Sequence, residues 1–201
     1  VVLKGTPAEV RQRVKAEDAA WRDAKGWSLL FYAAGRRGGS AKDSAEVCRI
    51  LIDELGFDPE LQSSKDSLAQ TALFYAARSG VLDAASMLLD RKANIDKADI
   101  INQTAIYWAA SWGNRPVLEL LLARRANIMH RDVNGQTALF YAVKLGATVS
   151  PDTQVECVKA LLEHAADRKA LVSVKCQKTG QTALFNAIRF GGTLDTCGLL
   201  L

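Results

Sequence analysis

The sequence predicts an all-α fold in which short helix–turn–helix repeats stack side by side. The first observation is a recurring phrase: SLLFYAA at 28–34, TALFYAA at 71–77, TAIYWAA at 104–110, TALFYAV at 137–143 and TALFNAI at 182–188. The second is its period, because Thr71, Thr104 and Thr137 follow one another at intervals of 33 residues. The third is the 49% apolar content, which is enough for an extended core. Repeats of this size bury their apolar faces only against their neighbours, so a solenoid is expected.

Composition narrows the classes of protein. The 26 basic and 22 acidic residues nearly cancel, so the charge does not by itself indicate nucleic acid. Of the four cysteines, Cys48, Cys157 and Cys197 fall where a second helix needs a small buried residue, whereas Cys176 lies in a loop. Reduced core thiols and an intracellular location, cytoplasmic or nuclear, are therefore expected. The sequence contains no signal peptide, lipidation motif or long apolar run.

Residues 1–22 read as a half-repeat that caps the stack. Thr6 and Glu9 have the spacing of a capping box, and Pro7 occupies the first helical position. The helix is expected to continue to about Ala20.

The repeats are justified in order by the same signals. Thr71 is the expected N-cap of a first helix, its hydroxyl accepting a bond from a first-turn N–H. Gly80 ends that helix, and Ala84 and Leu88 belong to the apolar face of the second helix. The predicted repeats are 23–65, 66–98, 99–131, 132–176 and 177–201. The last is expected to be truncated, which makes the chain an excised segment of a larger protein.

This pattern resembles the ankyrin repeat over nearly the whole chain. The matching elements are T-A-L-F-x-A-A, a following Gly, a Leu-Leu pair, A-N-I, and D-x-x-G-Q-T, which is complete from Asp132 to Thr137. The resemblance implies a single ankyrin-repeat domain, 1–201, that acts through its surface.

The sequence departs from the family in three ways. Aromatic residues stand where the family often has a His that bonds the loops, so their rings must compensate by packing: Phe74, Tyr107, Phe140 and Phe185. Asn102 replaces a loop Gly, and Asn adopts the left-handed conformation more readily than most other residues. Two insertions, 36–44 and 147–153, are expected between the first and second helices, with smaller loop extensions near 59–65 and 168–176. They are either ordinary loop variation or an extension of a binding surface.

The sequence shows no catalytic constellation. His130 and His164 have no Cys or carboxylate at ligand or relay spacing, and solvated surface is expected for both. The Gly-rich pieces fit turns and not phosphate loops. We therefore expect no enzyme activity, no cofactor and no metal within the chain.

The resemblance implies that partners dock on a concave side built from loop tips and first-helix ends. The variable positions that the family uses there include no acidic residue in this chain. Their cations are Arg22, Lys25, Arg36, Lys65, Arg78, Arg131, Lys144, Lys178 and Arg189. The second helices carry acids instead: Asp83, Asp90, Glu119, Glu156 and Glu163. Such a distribution favours an acidic partner.

Apolar side chains accompany these cations. Trp112 is expected to be at least half exposed, as an interface anchor or as cover for the stems of Arg78 and Lys144. Tyr32, Tyr75, Trp108 and Tyr141 form a second ladder, for which packing between repeats is expected. The predicted partner-binding residues are Lys65, Arg78, Ile100, Ile101, Trp112, Arg131, Lys144, Leu145, Arg189 and Phe190.

The expected function is that of a protein-interaction module, monomeric as a fragment, that binds an acidic and partly apolar segment of another protein. The alternative is a regulatory or substrate-targeting domain of a larger enzyme of kinase, methyltransferase or acyltransferase type. Nucleic-acid binding is a weaker expectation, because the basic residues are thinly spread and the pI is 8.9.

Overall fold

The computed structural model describes residues 5–24, 26–36, 41–63, 68–144 and 149–201, with the backbone alone at 41–42. Regular secondary structure in these ranges is entirely helical. The chain divides into two compact units, Val1–Ile100 and Ile101–Leu201, which we call the N-terminal unit and the C-terminal unit. In the described ranges, no helix is both long enough and apolar enough to cross a membrane.

The N-terminal unit pairs helices across successive repeats. Its elements are α1 (Pro7–Arg13), a 3-10 helix (Ala16–Ala20), α2 (Leu29–Ala34), α3 (Ala41–Arg49) with a π-helical continuation (Ile50–Glu54), α4 (Ala72–Ser79) and α5 (Leu82–Asp90). The first helices, α2 and α4, pack together, and so do the second helices, α3 and α5. This is the predicted arrangement of repeats.

The N-terminal capping box is confirmed, but the predicted helix to Ala20 is wrong. Thr6 Oγ1 accepts from the Glu9 N–H at 3.3 Å, and Glu9 Oε2 accepts from the Thr6 N–H at 2.7 Å. The helix ends at Arg13 because Val14 is extended. The Asp18 carboxylate then accepts from the Lys15 N–H at 2.8 Å and starts a separate 3-10 helix.

The C-terminal unit repeats the scheme. Its helices are α6 (Ala105–Ser111), α7 (Arg115–Ala123), α8 (Ala138–Ala142), α9 (Pro151–His164), α10 (Arg168–Val172), α11 (Ala183–Arg189) and α12 (Leu194–Leu199). The first helices α6, α8 and α11 pack in sequence, and the second helices α7, α9 and α12 pack likewise. The short helix α10 lies against α9.

Both insertions were expected as loops, and both are partly helical. Pro151–Thr153 form the first turn of α9, where Ser150 Oγ accepts from the Thr153 N–H at 3.2 Å. Residues 41–44 belong to α3, whereas 37–40 and 147–148 lie outside the described residues. The extension near 168–176 contains α10, because the Asp167 carboxylate caps its start by accepting from the Ala170 N–H at 2.9 Å.

The aromatic residues that replace the family's His pack as expected in three repeats. Phe74, Tyr107 and Phe140 are each at most 2% exposed. Phe185, in the last repeat, is the exception at 43% exposed.

Two of the three cysteines on second helices are buried as expected, whereas Cys197 in α12 is half-buried. All four cysteines are free thiols, and Cys48 in α3 and Cys157 in α9 are buried. Burial raises the pKa of the Cys48 thiol to about 12 and that of Cys157 to about 11, so both stay protonated at neutral pH.

The repeated threonines occupy the N-cap positions, but their hydroxyls do not cap. The N–H groups of Phe74, Tyr107 and Phe140 donate to the backbone carbonyls of Thr71, Thr104 and Thr137 at 3.0–3.1 Å. This tight first turn satisfies the N–H that the hydroxyl was expected to bind. Within the described residues, the buried hydroxyls of Thr104 and Thr137 have no hydrogen-bond partner. The predicted capping bond is therefore wrong.

Thr137→Val is expected to leave the free energy of unfolding unchanged or raise it by up to ~1 kcal/mol, because an unsatisfied buried hydroxyl is removed at equal volume. Thr193→Val is the matched control: the Thr193 hydroxyl does accept from the Thr196 N–H, at 3.1 Å. That control should lose about 1 kcal/mol. Urea unfolding measures both, and an equal loss in the two variants would contradict the assignment.

The outer side of the N-terminal unit carries an ion-pair network. Arg11 and Arg49 both bind Glu46 at 2.8 Å and Glu54 at 3.0 Å. Arg91 binds Asp53 at 2.6 Å. The bond to Arg49 lowers the pKa of Glu46 to about 2, and arginine partners also lower the pKa of Asp53 and of Glu54.

Because the folded pKa of Glu46 lies below its ordinary value of 4.5, the network stabilises the unit above that pH and is lost as pH falls toward 2. Arg49→Gln should therefore lower stability at pH 7 and shrink the further loss between about pH 5 and 2. Urea unfolding along a pH series measures this. Lys175→Gln, which alters an exposed cation in the other unit, should keep the parent slope; equal slopes in all three proteins would refute the role of the network.

Candidate partner-binding surface

The loop tip of the fourth repeat is a tight turn held by the buried carboxylate of Asp132. At the tip of the fourth repeat, the Asp132 N–H donates to the Gln136 carbonyl at 2.9 Å, and the Gly135 N–H donates to the Asp132 carbonyl at 2.8 Å. Asp132 Oδ1 accepts from the N–H groups of Asn134 at 2.8 Å and Gln136 at 2.9 Å. Gly135 has φ 72°, and a Cβ there would lie 2.6 Å from Gln177 Cγ, so only glycine fits.

A tyrosine of the first helix completes this tip. The Tyr141 hydroxyl donates to Asp132 Oδ2 at 2.7 Å and accepts from Gln103 Nε2 at 2.6 Å. The N-terminal unit has the same pair, since the Tyr32 hydroxyl donates to Asp23, whose other oxygen accepts from the Trp27 N–H at 2.8 Å. Tyr32 and Tyr141 of the ladder thus fix their loop tips through hydrogen bonds.

Rings of the ladder also pack between repeats, as expected. Tyr75 of α4 stacks on Phe31 of α2, with ring centroids 5.1 Å apart, and meets the Trp27 ring edge-on at 4.8 Å.

Cys176 takes the place of the aspartate in the last loop tip. Its N–H donates to the Gln181 carbonyl at 2.8 Å, and its carbonyl accepts from the Gly180 N–H at 2.8 Å. The residue is buried, although the sequence suggested a surface position. Burial acts to raise the pKa of the thiol, but hydrogen bonds from Thr179 and the Lys178 N–H outweigh it and lower that pKa.

Tyr107 supplies the loop bond that the missing His would make. Its hydroxyl lies 2.6 Å from the His130 carbonyl oxygen and 2.9 Å from the Gln136 carbonyl oxygen, so it joins two stretches of loop. The expectation that His130 is solvated surface is wrong. The His130 ring is half-buried edge-on to Tyr107, and its Nε2 donates to the Asn102 carbonyl at 3.0 Å.

Three of the predicted binding residues come together in the C-terminal unit. Lys144 Nζ lies 5.2 Å from the centroid of the Phe190 ring and 5.9 Å from that of Tyr141. Arg189 Cζ lies 5.7 Å from the Phe190 centroid. Phe190 remains 42% exposed. We call these four residues the cation–aromatic cluster.

The two cations of this cluster form no ion pair with a described carboxylate. Among the described residues, no carboxylate lies within ion-pair distance of Lys144 or Arg189. On the second helices of the same unit, Arg115 is by contrast paired with Glu119 at 2.8 Å and Glu156 at 3.0 Å.

The other candidates in this unit are Ile101, Trp112, Arg131 and Leu145. Trp112 ends α6 and is 36% exposed, so the expectation of at least half exposure is wrong. Arg131 is exposed, and its carbonyl accepts from Asn102 Nδ2 at 2.7 Å. Ile101 is half-buried and accepts from the Val133 N–H at 3.1 Å. Leu145 lies outside the described residues.

The N-terminal unit contributes fewer candidates. Arg78 is half-buried in the last turn of α4, and Ile100 is 61% exposed in a loop. Lys65 lies outside the described residues. Two cations of the predicted basic face serve the fold instead. Arg36 is 5% exposed and donates to the Gly5 carbonyl, whereas Arg22 donates to the Ala19 and Trp21 carbonyls.

One feature of the C-terminal unit is absent from the sequence-based prediction. A cavity of about 410 Å³ opens between the loops that follow α7 and α9, and Arg125, Met129 and His164 are among its lining residues. A sequence signal existed: Met129 stands where an earlier repeat has the acidic Glu60. Within the described ranges, no group of three His, Cys, Asp or Glu side chains is placed to hold a metal.

The paired helices and the carboxylate-held loop tips define a helical-repeat protein that presents a loop-tip surface. A family model described as ankyrin repeats in three copies matches residues 2–99, 37–132, 92–168 and 128–201. The chain therefore belongs to the ankyrin repeat family, whose repeats generally mediate protein–protein interaction. Comparison with curated proteins gives no match.

Tyr107→Phe is expected to lower the free energy of unfolding by about 1–2 kcal/mol, because two loop carbonyls lose their buried donor. Urea unfolding with an unchanged denaturant slope checks this. Tyr107→His, which supplies the ring N–H usual in the family, should recover part of the loss. A Phe variant as stable as the parent would show that the hydroxyl does not hold the loops.

Proposed function

We propose that the protein binds an acidic, partly apolar segment of another protein through its basic loop-tip surface, without catalysis of its own. The observation that carries the proposal is the cation–aromatic cluster, where two cations without an ion pair among the described residues flank a Phe190 ring that is 42% exposed. An exposed aromatic ring beside basic groups has the composition of an interface hot spot.

The charges of the cluster indicate the kind of partner. Lys144 and Arg189 form no ion pair with a described carboxylate, so both can pair with a carboxylate of the partner. An apolar side chain next to that carboxylate can cover the exposed face of Phe190. The ion pairs between the partner's carboxylate and these two cations speed association and fix the orientation of the partner. The burial of Phe190 supplies most of the affinity.

Preorganisation supports the same conclusion. Tyr141 is fixed by Asp132 at 2.7 Å and by Gln103 at 2.6 Å, and Lys144 lies above its ring. The surface is therefore formed before the partner arrives, and only the partner is ordered on binding. The proposed location is intracellular, in keeping with the four free thiols.

The test is a pull-down from cell lysate at low and moderate salt, followed by mass spectrometry. Acidic, apolar segments shared by the captured proteins are then synthesised as labelled peptides and titrated by fluorescence anisotropy. The baits are the parent chain, Lys144→Glu, Phe190→Ala and the control Lys175→Glu, which makes the same charge change at another exposed lysine of the unit.

Lys144→Glu and Phe190→Ala should each weaken peptide binding by ~10-fold or more. The control should bind as the parent does, and binding should weaken with salt. Equal binding by all four proteins would refute the cluster as the site. Preferential capture of nucleic acid, with a steep salt dependence, would refute the acidic protein segment.

A further inference from the structure

The cavity between the loops after α7 and α9 has the form of a small-molecule site. Its volume of about 410 Å³ lies within the range of ligand pockets. Leu122, Ile128 and Met129 give it apolar walls on one side, and Ala166 and Ala170 line the other. Met129 is 42% exposed, and its flexible thioether adapts to the shape of a ligand.

A missing tie between two loops accounts for the cavity. In the N-terminal unit, the Glu60 carboxylate accepts from the Asn94 N–H at 2.7 Å and fastens one loop to the next. In the first repeat, Glu60 lies four residues after the left-handed Gly56 (φ 72°). In the third repeat, Met129 lies four residues after the left-handed Arg125 (φ 65°), so Met129 occupies the position that corresponds to Glu60. A thioether cannot make this bond, so the corresponding loops are not fastened there.

The extension after α9 builds the opposite wall. Asp167 stands at the place of Asn94 in its repeat, but its carboxylate accepts from the Ala170 N–H at 2.9 Å and starts α10. This helix belongs to the extension of the fourth repeat, which the 33-residue period does not require. The lining of the cavity thus depends on an added segment.

The polar groups of the lining favour an anion. Arg125 lines the cavity, and its guanidinium has no carboxylate or hydrogen-bond partner among the described residues. His164 Nδ1 donates to the Ala160 carbonyl at 2.9 Å, which leaves Nε2 as the ring nitrogen that can meet a ligand. The one carboxylate of the lining, Asp167, is engaged by α10.

We propose that this cavity binds a small organic acid with an apolar alkyl or aryl body. The body lies against Leu122, Ile128 and Met129, and the carboxylate pairs with Arg125. A charge-assisted bond to a planar guanidinium orients the ligand, and burial of its apolar body provides affinity. The site involves none of the residues proposed to bind a protein segment, so the two proposals stand or fall separately.

The test uses phenylbutyrate as the probe and phenylbutanol as its uncharged counterpart, both titrated into the whole chain. Amide proton–nitrogen NMR spectra follow the binding. Phenylbutyrate should shift the amides of residues 125–129 and 164–170 in a saturable manner, whereas phenylbutanol should bind at least ~10-fold more weakly.

Two variants and a matched control complete the test. Arg125→Gln should weaken phenylbutyrate binding by ~10-fold, and Ala170→Trp should abolish binding by filling the cavity from the exposed face of α10. Lys92→Gln, at the corresponding position of the second repeat, should bind as the parent does. Equal affinity for acid and alcohol, an unaffected Arg125→Gln variant, or shifts confined to other residues would each overturn the proposal.

Discussion

The buried carboxylate of the loop tip is the interaction on which the rest of the surface depends. Asp132 gathers the N–H groups of Asn134 and Gln136 on one oxygen and the Tyr141 hydroxyl on the other. One side chain thereby closes the turn and fastens it to the first helix of the same repeat. Asp23 does the same in the N-terminal unit. Where Cys176 replaces the aspartate, the backbone bonds of the turn remain, so the turn itself does not require a carboxylate.

The arginines and lysines of the chain differ in whether they form ion pairs. In or next to the second helices, Arg115 and Arg91 form ion pairs with neighbouring carboxylates at 2.6–3.0 Å. At the fourth loop tip, the buried Asp132 carboxylate accepts from N–H and O–H donors and forms no ion pair with a cation among the described residues. Lys144 lies over aromatic rings instead of beside an acid.

The 33-residue period, with Thr at the helix starts and Gly at the helix ends, sufficed to predict the repeats and their helix pairing. They could not predict which backbone or side-chain atom satisfies a given N–H. Thr137 has the identity and position of a capping residue, yet the carbonyl of the same residue takes the bond. Arg36 and Arg22 show the same limit for the surface. Arg36 donates to the distant Gly5 carbonyl and Arg22 to the nearby Ala19 and Trp21 carbonyls, and a count of charges along the chain contains no information on such contacts.

The ends of the second helices tolerate more change than the loop tip of the fourth repeat, and this explains where the cavity arises. A tip holds Gly135 in a left-handed conformation against Gln177, so even one added carbon would clash. The loops after the second helices of the first three repeats each contain one left-handed residue, Gly56, Lys92 or Arg125, whereas Ala165 after α9 has φ −72°. In the first repeat, the bond from the Asn94 N–H to Glu60 fastens this loop to the next one. The third repeat lacks the corresponding bond, yet its second helix α7 still packs on α9. Variation at this edge therefore leaves the core intact while it opens a cavity beside Arg125, which forms no ion pair among the described residues.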